Sequence, residues 1–138
     1  MDSLQDTTVI REHIPLISNL NIVENIAIIQ EVHAYKQVIK AEAEALELLR
    51  IIALEEIAQK RASQCSEFEI FCAMLLRALM NDNERIVIVT PFSFITSLTS
   101  IKEIAEVIYK LDIKKDIIIA DMKNNQTNYE GDLCHIAE

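Results

Sequence analysis

Glycine is nearly absent. Gly131 is the only one in 138 residues, which excludes a glycine-rich loop able to wrap a phosphate with its backbone N–H groups. Cysteine is scarce too: Cys65, Cys72 and Cys134 are odd in number and have no C-x-x-C spacing, so reduced thiols are expected rather than a disulfide frame or a zinc site. No long apolar run is present. The longest uncharged stretch, Ile86 to Ile101, is broken by Pro91 and by hydroxyl residues, and does not read as a membrane-spanning helix. The first residues, MDSLQDTTVIREH, have no basic flank followed by an apolar core, so no secretory signal is read and a cytosolic protein is expected. Basic residues are outnumbered. With 13 Lys and Arg against 22 Asp and Glu, the formal charge of -9 opposes binding to nucleic acid or to an anionic membrane surface. His13, His33 and His135 stand apart from any acidic or cysteine cluster, so they are read as solvated or core residues, and no metal or cofactor is expected.

What is present is a hydrophobic half, enough for one domain with a core. After a polar start, Asn21 precedes a helical pattern with Ile22, Ile26 and Ile29 on one face. A second helix is expected from about Tyr35 to Ile52, with Val38, Ile39, Leu46, Leu49 and Ile52 inside and Glu42, Glu44 and Glu47 outside. A short helix over Leu54 to Arg61 should follow. Ser66 and Glu69 form an S-x-x-E capping box for a helix over Glu67 to Met80, whose buried stripe is expected to include Phe68, Cys72, Leu75, Leu76 and Leu79. The β-branched runs Ile86 to Val89 and Ile117 to Ile119 flank a helix over Thr99 to Leu111 with Ile101, Ile104, Ala105 and Ile108 on its apolar face. This pattern predicts a β-α-β unit with strands buried in a parallel sheet. A weak last strand is read over Asp132 to Ile136. The expected class is α/β: a helical part over 16–82, then a small, mainly parallel sheet over 83–138.

The stretch from Gln64 to Ser93 resembles, without gaps, the signature helix and following strand of an ATP-binding cassette (ABC) transporter ATPase. Residues 16–27, LISNLNIVENIA, are similar to the family's leucine-rich turn leading into a V-x-E-N helix start. Residues 45–54, ALELLRIIAL, and 60–64, KRASQ, are similar to the approach to the signature. Arg77, Ala78 and Leu79 match the end of the signature helix, and Pro91 and Ser93 match the D-E-P-x-S after the Walker B strand. The resemblance implies part of a phosphate-loop NTPase core, with the phosphate loop itself falling upstream of residue 1.

The departures from the family pattern fall where its chemistry needs a particular group. In the signature, Ser66 and Glu69 remain while Glu67 and Phe68 stand at the two glycine positions, where a carboxylate and a ring would repel and obstruct a triphosphate. Val89 replaces the aspartate that holds Mg²⁺, and Thr90 replaces the glutamate that polarises water. Residues 93–96, SFIT, stand for the aspartate loop, and Asp121 for the switch histidine that contacts the γ-phosphate. The γ-phosphate-sensing glutamine falls near Arg11 or Glu12. The resemblance therefore implies a degenerate, non-hydrolysing relative that keeps the surface coupling to a membrane permease. That surface would include Leu16, Ile17, Asn19, Leu20, Glu24 and Asn25. The alternative is a self-associating homodimer with no transporter role. In the resembled fold a nucleotide-carrying strand lies beside Ile117 to Ile119. Without it, either the last strand moves in or a second chain covers that edge.

Overall fold

The computed structural model describes residues 6–12 and 15–121, the side chain of His33 excepted, and the backbone of residues 136–137. His13, Cys134, His135, Gly131 and most of the expected last strand lie outside the described residues. The chain divides into two compact units, Pro15–Asn81 and a unit that joins the N-terminal segment to Asp82 onward.

The first unit is helical. Helix α1 spans Ile22–His33, α2 Val38–Ile51 and α3 Glu67–Leu79, and α1 packs on both others. The first four N–H groups of α1 are all satisfied, which a helix start buried by its neighbours requires. Ile22 N donates to Lys60 O at 2.8 Å and Val23 N to Ala58 O at 3.1 Å; Glu24 N donates to Asn21 Oδ1, and Asn25 N to Asn21 O. In place of the helix expected over Leu54 to Arg61 there is one 3₁₀ turn, Glu55–Ile57, and a second, Ala62–Gln64, follows it. The segment closes three residues back rather than four, Ile57 N donating to Leu54 O, Ala58 N to Glu55 O and Lys60 N to Ile57 O, and Ala53 enters it with φ at 60°.

The buried face of α2 also differs from expectation. Ala41, Ala45, Leu49 and the following Ile52 are inside, at spacings of four, four and three, whereas Val38 and Ile39 are exposed and Leu46 is half-buried. Small alanines at these positions let helix backbones approach closely, so the seam runs through them rather than through the larger aliphatics. Helix α3 is buried continuously from Phe71 to Leu76. Phe68 and Leu79, expected in its stripe, are half-buried, and Phe71 takes the central place with Phe68 beside it at 6.4 Å between ring centroids.

The second unit is a sheet of four parallel strands in the order β1-β2-β3-β4: Thr7–Ile10, Arg85–Val89, Asp116–Ala120 and Ile136–Ala137. Between β2 and β3 lie α4, Pro91–Phe94, and α5, Lys102–Leu111, as a parallel crossover requires. Strand β1 falls where the sequence reads only a polar start. It pairs in register with β2, Thr7 opposite Arg85 through Ile10 opposite Ile88. Within β2 the side chains alternate: Ile86 and Ile88 are buried, Val87 and Val89 half-buried, so one face is closed more fully than the other. Helix α5 starts at Lys102 rather than Thr99, with Ser100 Oγ accepting from Lys102 N at 3.2 Å. Its buried residues are Ile104 and Val107, with Ile101 just before it; Ala105 and Ile108 are half-buried. Of the two arrangements left open for the β3 edge, the chain's own terminus is the one seen: Ile136 pairs with Ile119 and Ala137 with Ala120.

Candidate functional site

The signature-like residues form the start of α3 in the helical unit. Ser66 Oγ accepts from Glu69 N at 3.1 Å, and Glu69 Oε1 accepts from Ser66 N at 2.8 Å, a reciprocal capping box. Glu67 projects into solvent, and Phe68 lies half-buried against Phe71. Both side chains that match the signature are thus engaged in closing the helix. Glu69 also acts on its neighbours. Burial pushes the Cys72 thiol up to about 12, with the Glu69 carboxylate adding to it, and the same two causes raise the Cys65 thiol. Both causes favour the neutral thiol over the thiolate.

The segment resembling the permease-coupling surface is built around Asn25, whose buried side chain holds the preceding turn. Its Oδ1 accepts from Ile17 N at 2.7 Å; its Nδ2 donates to Ile17 O, Leu20 O and Asn21 O at 3.1, 3.3 and 3.0 Å. Glu24 completes a second capping box with Asn21, its Oε1 accepting from Asn21 N at 2.8 Å. The V-x-E-N pattern is therefore a folding device here: Glu closes the helix and Asn fastens the turn. Two residues of the expected surface, Leu16 and Asn25, are buried and present nothing to a partner. Ile17 and Asn19 are exposed, Leu20 is half-buried, and Glu24 is partly exposed.

In the sheet unit, the Walker B-like positions end β2. Val89 is half-buried. Thr90 follows it in the left-handed region, φ 46° and ψ 58°, a conformation that costs a β-branched residue about 1–2 kcal/mol. The surroundings enforce it. Thr90 N donates to Ala120 O at 2.7 Å, prolonging the β2–β3 ladder, while Thr90 O accepts from Ser93 N and Phe94 N at 3.0 and 3.3 Å. Pro91 then supplies the first residue of α4. Asp121, at the switch position, is buried just after β3, and Arg11 and Glu12 are exposed just after β1. Residues from three strand ends, Arg11, Thr90 and Asp121, thus gather at the carboxyl edge of one parallel sheet, where open α/β folds bind ligands. Ser66 to Glu69 belong to the other compact unit. The sequence did not reveal β1, whose only signal is the β-branched run Thr7-Thr8-Val9-Ile10.

Among the described residues no helix is long and apolar enough to cross a membrane. No family model matches the chain. No curated protein matches it either. A solved structure does: the dimeric, post-hydrolysis state of the ATP-binding cassette MJ0796 bound to ADP and Pi. Its TM-score is 0.65 at 20% sequence identity, and the alignment covers 91% of this chain and 56% of that one. The chain therefore spans little more than half the length of that cassette protein. Its fold is an α/β, NTPase-like fold similar to part of an ABC ATPase.

Proposed function

We propose that the chain is a non-hydrolysing relative of an ABC transporter's ATP-binding subunit, acting as a structural or regulatory partner of a transport complex at the inner face of a membrane. One observation carries this reading. At the carboxyl end of β2, where the resemblance expects two carboxylates, stand Val89 and Thr90, and the backbone of Thr90 is committed to Ala120 and to α4. Valine offers no oxygen to a hard cation, and a neutral hydroxyl is a poor base toward water. Asp121 at the switch position adds negative charge where a γ-phosphate would need a donor. The fold supports a scaffold role because the positions that still match the family, Ser66, Glu69, Glu24 and Asn25, have local structural work.

Two measurements test it. Purified chain should release no phosphate from ATP above a protein-free blank, and steady turnover would contradict the reading. Co-purification with a membrane permease should weaken on Ile17→Asp, an exposed site in the turn held by Asn25; the absence of any permease partner would count against the coupling role. The alternative, a homodimer without a transporter role, draws on the similar cassette being dimeric. The pairing of β4 with β3 removes part of its original motive, since the edge is occupied in cis at Ile119 and Ala120. Light scattering decides it, because a strict monomer is incompatible with the homodimer.

A further inference from the structure

We draw no further inference here: the strongest candidate, the exposed apolar patch of Val32, Tyr35, Val38 and Ile39 at the turn between α1 and α2, adjoins charges of both signs in Glu31, Lys36, Lys40, Glu42 and Glu44, and nothing in the structure shows what covers it.

Discussion

The helical unit and the sheet unit differ in what holds the residues singled out by the resemblance. In residues 15–81, Glu24, Asn25, Ser66 and Glu69 match the resembled pattern while Glu67 and Phe68 depart from it, and each of the four that match makes hydrogen bonds that build the fold. At the strand ends of the sheet unit, the positions expected to carry chemistry hold Val89, Thr90 and Asp121, and the backbone there is tied into the β2–β3 ladder and α4. Asn25 shows what such bonding is worth, because removing a buried hydrogen-bonding group leaves donors and acceptors unpaired.

The comparison can be strained experimentally, starting with the largest effect. Phe71→Ala should cost about 3–5 kcal/mol through the cavity it opens in the helical unit, read as a lower urea midpoint. Asn25→Ala should cost about 2–3 kcal/mol, because Ile17 N and the carbonyls of Ile17, Leu20 and Asn21 lose their partner. A loss no larger than that of a surface substitution would show that the V-x-E-N asparagine is not structural. Cys72 gives a pH test. Its folded pKa of about 12 lies above the ordinary 9.0, so its contribution is complete below pH 9.0 and is lost as pH rises from 9.0 toward 12. Wild type should lose about 1.4 kcal/mol more than Cys72→Ala for each pH unit in that window, measured by denaturant titration. Ser66→Ala should cost about 1 kcal/mol through the lost cap. Thr90→Gly, in contrast, should be neutral or stabilising by up to about 1 kcal/mol, since it relieves a left-handed threonine.

What could be read from the sequence follows the range of the forces involved. The start of α3 was visible because a capping box is a contact between residues three apart. The β-α-β unit was visible because its two β-branched runs flank one helical period. Strand β1 was not, since four residues among polar neighbours become a strand only by pairing with Arg85–Ile88, far along the chain. The two 3₁₀ turns within residues 55–64 present the carbonyls of Ala58 and Lys60 to α1, a long-range pairing that no local pattern reports. The seam of α2 shifted to Ala41 and Ala45 because helix packing rewards close approach as well as hydrophobicity, which left Val38 and Ile39 outside. At the candidate site, residue identities were legible, but the left-handed backbone of Thr90 and the burial of Leu16 and Asn25 were tertiary facts.

Isothermal calorimetry of the purified chain with ATP, in the presence and absence of Mg²⁺, tests the central claim most directly. With Val89 and Thr90 at the end of β2 and Asp121 after β3, the account predicts no binding heat at submillimolar nucleotide in either condition. A submillimolar affinity that depends on Mg²⁺ would contradict it.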